Sequence, residues 1–417
     1  MVFIPAHYVA GGIVFSVLDD ESLEEGKRSK FQKQFTDECA CYHLHIGIFY
    51  NAYRTKSLSK IVSIGTAVPA YCHQQMNILE FMQQVYVATE ADKRKMRFLY
   101  HESGIGQRYS VIADYSREIQ DWKFYPQSES LEPFPTLEQR MTMYNKHAPL
   151  LSVDAIRDCL NHAHNPKDIT HLITVSCTGM SAPGLDLQVM ELMDFEKDIF
   201  RTSVNFMGCY AAIHALKIAD AICKTDKNSK VLIVCTELCT LHFQRENTMD
   251  NITASLLFGD GSAAVLMTGS ENELPGLHLD NFYSEVIPKG KRDMAWELSS
   301  SGFIMTLSGY IPELIEQDFS AILHRALAKE NSNLNDVTDW CIHPGGKRIL
   351  EAIHKSLHLT NGQLNCSYDV LKEFGNLSSA SILFVLKKML HTKKEMRKLV
   401  GAAFGPGLTV ETFTAHC

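Results

Sequence analysis

The sequence predicts an α/β protein with a mainly parallel sheet, built around a duplicated unit. Two observations predict this. From about Met141 onward, apolar strand patterns alternate with helical ones. One strand-entry pattern also occurs twice: Lys167-Asp168-Ile169-Thr170-His171-Leu172-Ile173-Thr174-Val175 is matched by Asn335-Asp336-Val337-Thr338-Asp339-Trp340-Cys341-Ile342-His343. Each copy is an Asp–β-branched–Thr turn entering an apolar strand. From Asp168 to Cys209 is 41 residues, and from Asp336 to Asn376 is 40. A shared interval of this kind points to a repeated supersecondary unit. It places Cys209 and Asn376 at equivalent helix starts, facing one another across a pseudo-dyad.

The elements follow in order. Residues 1–56 read as a peripheral extension, or as chain upstream of the true start. A short apolar stretch over residues 9–18 gives way to a charged run and then to Cys39-Ala40-Cys41-Tyr42-His43-Leu44-His45. That His/Cys cluster is weighed as a metal site and set aside in favour of a peripheral segment. The ordered part begins with the apolar strand Ser59 to Val68, stopped by Pro69. A helix from about Gln75 to Thr89 and the basic segment Lys93-Arg94-Lys95-Met96-Arg97 come next. Residues 121–138, with Pro126, Pro133 and Pro135, read as a long loop. Apolar helices are expected from Phe206-Met207-Gly208-Cys209 to about Cys223, and from Phe374-Gly375-Asn376 to about Leu390. Residues 57–280 then form an N-terminal half carrying Cys209, and residues 281–417 a C-terminal half carrying His343 and Asn376.

Composition narrows the function. With 45% apolar and 21% charged residues, the chain has the balance of a globular protein with ample core. A net charge of −8 argues against nucleic-acid binding. No apolar run approaches the roughly 18 residues of a membrane span, and no secretory leader is evident. The twelve cysteines show no C-x-x-C spacing, so they are expected to be reduced thiols in a cytoplasm.

Cys209 stands out among them. Gly208 permits a tight strand-to-helix turn, and the helix that follows is apolar nearly all round, through Ala211, Ala212, Ile213, Ala215 and Leu216. A thiol at such a helix start feels the positive end of the dipole, which favours thiolate. Thiolates attack acyl carbonyls and leave again as thioesters. His343 follows an apolar strand and precedes Pro344-Gly345-Gly346, a loop that lets a ligand approach the backbone. Asn376 lies between Gly375 and a buried helix, where it either caps that helix or faces a substrate. Together the three suit one reaction class. An imidazolium stabilises the thiolate, and His and Asn donate to a thioester oxygen while a malonyl unit loses carbon dioxide. Each well-aimed oxyanion donor is worth on the order of 10²–10³ in rate. This chemistry needs no metal, flavin or nicotinamide.

These residues resemble the type III polyketide synthases, the chalcone and stilbene synthase family of the thiolase-like superfamily. The likeness covers roughly residues 57–417. It rests on Gly208-Cys209-Tyr210-Ala211-Ala212, Leu257-Phe258-Gly259-Asp260-Gly261, Ile342-His343-Pro344-Gly345-Gly346, Phe374-Gly375-Asn376-Leu377-Ser378-Ser379 and Phe404-Gly405-Pro406-Gly407-Leu408-Thr409-Val410-Glu411. It implies a homodimer with a five-layer αβαβα fold built from two duplicated halves, and a tunnel leading to a buried cavity. It assigns Cys209 as nucleophile, His343 and Asn376 to decarboxylation, and Phe258 as gatekeeper. Gly405, Pro406 and Gly407 would shape the cavity, with Ala403 a small departure nearby. The implied substrates are malonyl-CoA and an acyl-CoA.

Departures bear on the starter. Lys95 falls at a coenzyme A phosphate contact, but two further basic positions fall on Phe98 and Glu102. Either the phosphate contacts are rearranged or an acyl carrier protein delivers the starter. Ala182 falls where plant relatives place a Met reaching into the partner's cavity; His242, Trp296 and Met305 fall at other cavity positions. Trp296 would fill space used by a folded aromatic polyketide, and Ala182 would open a path for an alkyl chain. The expected starter is therefore a fatty acyl group, giving alkylpyrone or alkylresorcinol products. The alternatives are an aromatic starter, as in chalcone or stilbene synthases, and an initiating ketoacyl synthase of fatty-acid synthesis. A Cys–His hydrolase and a non-catalytic scaffold fit less well.

Overall fold

The computed structural model describes residues 8–10, 13–15 and 59–417, apart from 87–88, 162–163, 270–273 and 394. The chain divides into two units, Met1–Lys56 and Ser57–Cys417. In the first, β1 (Tyr8–Ala10) pairs antiparallel with β2 (Ile13–Phe15). The Cys39–His45 cluster lies outside the described residues. No described helix is long and apolar enough to cross a membrane.

The second unit opens on β3 (Ser59–Ala67), then β4 (Tyr71–Gln74) and the helix Gln75–Val85. The basic segment lies on a separate helix, Glu90–Glu102. A reciprocal capping box starts it: the Asp92 N–H donates to the Thr89 hydroxyl, and the Thr89 N–H to the Asp92 carboxylate. Strand β5 (Gln107–Ser110) pairs with β4, and the proline-rich stretch runs as turns up to the long helix Leu137–Leu160. Thereafter come β6 (His171–Ser176), the helix Leu185–Met193, β7 (Phe200–Asn205) and the helix Ala211–Thr225. Next are β8 (Lys230–Leu238), the helix Met249–Leu257, β9 (Asp260–Gly269) and β10 (Leu277–Val286). A hairpin of β11 (Met294–Ser299) and β12 (Gly302–Leu307) precedes the helix Ile311–Ala328. The chain ends through β13 (Asp339–Ile342), the helices Lys347–Ser356, Asn365–Phe374 and Ser381–Thr392, β14 (Leu399–Gly405) and β15 (Thr409–His416).

The duplication is plain in the sheet, whose order is β13-β14-β15-β10-β3-β9-β8-β6-β7. In one half β6 runs parallel to β8, then β8–β9 and β9–β3 are antiparallel. In the other, β13 runs parallel to β14, then β14–β15 and β15–β10 are antiparallel. A short antiparallel contact of Leu277–Leu279 on Ser59–Ile61 joins the halves. The sheet is thus mixed, not mainly parallel. Continuous apolar runs report burial on both faces and carry no information about strand direction.

Strand alternation then builds the layers. Val231, Ile233 and Cys235 of β8 pack into one core with the helices Ala211–Thr225 and Ser381–Thr392. Leu232, Val234 and Leu238 point the other way, into a core shared with Leu151, Ala155 and Ile156 of the long helix. The second half repeats this: Cys341 faces the inner core, while Trp340 and Ile342 face the outer one. Two buried helices between sheet halves, with further helices outside, make the five-layer αβαβα arrangement of a thiolase-like fold. The inner helices are apolar where sheet covers them, while Lys217 on the first helix and Lys387 on the last leave the packed sides to pair with Glu411 and Asp158.

Candidate active site

Cys209, the candidate nucleophile, sits on a strained turn. After β7, Phe206 and Gly208 both take left-handed backbone, with φ of 59° and 78°. Gly208–Tyr210 forms a 3₁₀ turn, and the α-helix proper begins at Ala211. A Cβ on Gly208 would lie 2.2 Å from Cδ of Pro406, so glycine is required twice over, by conformation and by space. The Gly208 N–H donates to Cys177 Sγ at 3.0 Å, and the Cys209 thiol points at the Ser378 hydroxyl, 3.8 Å away. Gly405 packs under the same turn, where an added Cβ would meet Tyr210 at 2.5 Å.

Burial pushes the Cys209 thiol up to about 12, only partly offset by hydrogen bonds with Ser378 and Asn376. Desolvation thus works against the thiolate that the helix end was expected to favour. His343 is shifted by the same cause. Its ring is 1% exposed, neither nitrogen has a hydrogen-bond partner, and burial lowers it to about 3. Desolvation likewise works against the imidazolium expected from the sequence. Its backbone is well held, since the His343 N–H donates to Ala402 O at 2.9 Å and continues the β13–β14 pairing.

Asn376 is fixed by its neighbours. Its N–H donates to Leu257 O and its carbonyl accepts from Gly259, a parallel bridge that sets it beside Phe258. The side-chain oxygen accepts from the Ser378 N–H at 2.9 Å and from the Ser381 hydroxyl at 3.4 Å. The amide nitrogen donates to Gly345 O at 3.3 Å, in the loop that follows His343. Capping and site roles are thus divided between two ends of one carboxamide, which locks its orientation. The symmetry expectation shifts by a few residues. The 3₁₀ turn Ser378–Ala380, leading into Ser381–Thr392, corresponds to Gly208–Tyr210, so Ser379 is the positional counterpart of Cys209 and Asn376 lies before the turn. Sequence intervals alone could not locate a turn to within three residues.

One cavity gathers Cys209, Phe258, His242, Trp296, Met305 and Pro406, together with Cys177, Cys239, Phe303 and Ser378. His242 is a wall, not a base. Its Nε2–H donates to Thr178 O at 2.7 Å, its Nδ1 accepts from the Phe303 N–H at 3.1 Å, and burial lowers it to about 3. Its ring stacks on Phe303 with centroids 4.2 Å apart, and Trp296 meets both rings edge-on. The Trp296 indole N–H donates to Cys177 O at 2.7 Å. The gatekeeper candidate Phe258 is gripped through its carbonyl by the buried Arg108 guanidinium. Gly407, at φ 75°, turns the loop that presents Pro406. Lys95 and Ala182 are elsewhere: both are exposed, Lys95 on the helix Glu90–Glu102 and Ala182 in the loop after β6.

Three neighbours escaped the sequence reading. The buried Glu237 carboxylate, on β8, accepts from the Cys177 N–H at 2.9 Å, the Thr178 hydroxyl at 2.9 Å and the Ser379 hydroxyl. Burial raises it to about 7. Cys177 joins this carboxylate to the nucleophile turn, and Cys239 lines the cavity nearby. The signal for Glu237 was available: a lone carboxylate inside the apolar run Val231 to Leu238.

The sequence also matches chalcone and stilbene synthases, N-terminal domain, over residues 48–271 and the C-terminal domain over residues 278–417. The chain belongs to the chalcone and stilbene synthase family. It is a type III polyketide synthase enzyme. Among curated relatives, type III polyketide synthase C of Arabidopsis thaliana is 29% identical over 378 residues, covering 87% of this chain and 95% of that protein. Probable polyketide synthase 1 of Dictyostelium discoideum is 29% identical over 368 residues, and there the chain spans only 11% of the relative's length. Among solved structures, PKS-I from the brown alga Ectocarpus siliculosus superposes with a TM-score of 0.81 at 26% identity, covering 86% of this chain and 98% of that one. The C-terminal type III polyketide synthase domain of Steely1, a type I/III hybrid from Dictyostelium, gives 0.80 at 27% identity, with 86% and 99% covered.

Proposed function

We propose that this type III polyketide synthase loads a fatty acyl starter on Cys209 and extends it with malonyl-CoA to an alkylpyrone or alkylresorcinol. The Cys209 sulfur attacks the starter thioester carbonyl, and coenzyme A leaves as its thiol. Malonyl-CoA then loses carbon dioxide, and its thioester enolate attacks the Cys209 thioester. That step forms the carbon–carbon bond, frees the Cys209 sulfur and leaves a β-ketoacyl-CoA for the next round. His343 Nε2 and the Asn376 amide donate to the enolate oxygen. No cofactor takes part in this scheme.

The observation that carries the reading is the locked Asn376 carboxamide. With its oxygen engaged by Ser378 and Ser381 and one amide N–H by the Gly345 carbonyl, the second N–H is left for the site, and a donor is what an enolate needs. The starter class is supported by the lining: Ile78, Met82, Ala254, Met294 and Met305 offer an apolar, adaptable wall, while Trp296 restricts the space for a folded aromatic chain. A panel of acyl-CoA starters with labelled malonyl-CoA and mass analysis of products tests it. Refusal of every acyl-CoA of six or more carbons, with a phenylpropanoid starter accepted, overturns the fatty acyl assignment. Cys209→Ala is expected to abolish the acyl-enzyme.

The enzyme is further proposed to be a homodimer through the β7 edge. Phe200 on that terminal strand is 70% exposed, and Leu150 and Leu192 on the adjoining helices are 54% and 47% exposed. Ala182 lies in the loop leading to the same helix, where it would face the partner. Phe200→Asp is expected to shift sedimentation to the monomer; an unchanged profile removes the β7 edge from the interface.

A further inference from the structure

The helix Met249–Leu257 runs into Phe258, and its last carbonyls have no partners within the helix. Each finds one on a distant segment. Leu256 O accepts from the Gln75 side-chain amide at 2.9 Å, Leu257 O from the Asn376 N–H at 2.8 Å, and Phe258 O from the Arg108 guanidinium at 2.5 Å. Arg108, on β5, is 3% exposed and lines the cavity. Its Nε donates to Gln75 Oε1 at 2.8 Å, so the two side chains brace one another against the helix end. A cation here also complements the negative end of the helix.

The stem of Arg108 is as closely engaged as its head. Gly375 holds φ 71°, and a Cβ there would lie 2.8 Å from Cδ of Arg108 and 2.8 Å from Leu257 O. A Cβ on Gly259 would lie 3.5 Å from Cβ of Arg108. The arginine thus threads between the turn bearing Phe258 and the turn bearing Asn376, which are joined by the Gly259 N–H donating to Asn376 O at 3.0 Å. The condensation scheme gives this buried cation no task.

We infer that Arg108 is a positioning residue for chain extension: it holds Phe258 and Asn376 at one fixed spacing, so that a malonyl thioester meets ring and amide together. The inference rests on the reading of Asn376 as enolate donor and adds the group that keeps it in register with Phe258. The planar guanidinium fork grips Gln75 and Phe258 at once, which an ammonium cannot do. Decarboxylation is the step exposed to a shift. The bond to the carboxylate breaks, its electron pair passes into the thioester enolate, and carbon dioxide leaves. The oxygen that gains charge then needs its donor within hydrogen-bond reach. Loading of Cys209 from an acyl-CoA forms no enolate and does not call on Asn376.

The test reads the two half-reactions separately on the intact enzyme. With malonyl-CoA alone, the enolate takes up a proton and acetyl-CoA is released. With decanoyl-CoA alone, or cinnamoyl-CoA where decanoyl-CoA is refused, Cys209 acquires an acyl group seen by intact mass. Arg108→Met should lower acetyl-CoA release on the order of 100-fold and leave the loading rate within about threefold, which also certifies the fold. Arg108→Lys keeps the charge and one donor, and should recover acetyl-CoA release to within about tenfold of the wild type. Where Arg108→Met is insoluble, Arg108→Lys carries the test through the same split between half-reactions. Parallel losses in both half-reactions that track Tm make Arg108 a structural residue and overturn the inference. So does no loss in either, or a lysine variant no better than the methionine one. Asn376→Asp is run alongside. Acetyl-CoA release at the wild-type rate in that variant sinks the enolate reading of Asn376, and a selective loss in Arg108→Met then still supports positioning through Phe258.

Discussion

Replacing Glu237 by Gln isolates the energetics of a carboxylate buried beneath the nucleophile. Its Oε2 accepts from the Cys177 N–H and the Thr178 hydroxyl, and its Oε1 from the Ser379 hydroxyl. A glutamine can put its oxygen at the first position and its NH₂ at the second, with the Ser379 hydroxyl rotating to accept, so the hydrogen bonds survive and the charge goes. Burial raises Glu237 from the ordinary 4.5 to about 7, which corresponds to about 3 kcal/mol between the charged and neutral forms. The sign follows from proton binding. Between pH 4.5 and about 7 the folded protein keeps a proton that the unfolded chain has released, so wild-type stability falls as pH rises through that window. Above it the full deficit applies; below it both states are protonated and the deficit vanishes. Glu237→Gln should therefore match the wild type at low pH and exceed it at high pH. With an unfolding entropy of roughly 2 cal/mol/K per residue, about 3 kcal/mol moves Tm by roughly 4 °C in a domain of this length. Thermal melts of both proteins at about pH 5 and about pH 8.5 supply the measurement. A Tm difference that is the same at both pH values, or that favours the wild type more at the higher one, would refute the reasoning.

Other expectations concern the site directly. Asn376→Asp keeps an acceptor for Ser378 and Ser381 but removes the donor, so malonyl decarboxylation should fall on the order of 10²–10³-fold while Cys209 still acquires a starter detectable by intact mass. Gly208→Ala forces a Cβ to 2.2 Å from Pro406 at a left-handed position; loss of selective Cys209 alkylation, with soluble protein or without it, is the expected outcome. Trp296→Ala removes the plug beside His242 and Phe303 together with the bond to Cys177 O. Its products should shift to longer chains or bulkier starters in mass analysis. Unchanged products would mean Trp296 does not bound the chain.

How much of this was legible beforehand differed by residue. The Gly208-Cys209 turn, the apolar helices after it and after Asn376, and the strand opening at Ser59 were readable because glycine freedom and apolar periodicity are local properties. The duplicated halves were readable from one repeated turn-and-strand pattern. Strand direction was not, because β8 and β9 are buried almost throughout and mostly apolar whichever way they run. Glu237 and Cys177 were not singled out, since their meaning depends on Ser379, 142 residues away from Glu237.

The sequence by itself determined which chemistry the protein carries: a cysteine on a glycine turn, a histidine after a strand, an asparagine ahead of a buried helix, and the family to which their motifs belong. Only the tertiary structure decided the state in which those groups wait. Packing strips Cys209 and His343 of water and so disfavours the charged form of each, and desolvation is a sum over neighbours from every part of the chain. The Asn376 amide is fixed by Ser378, Ser381 and the Gly345 carbonyl, and the last of these contacts exists only once the loop after β13 has folded against the turn that precedes the final helix.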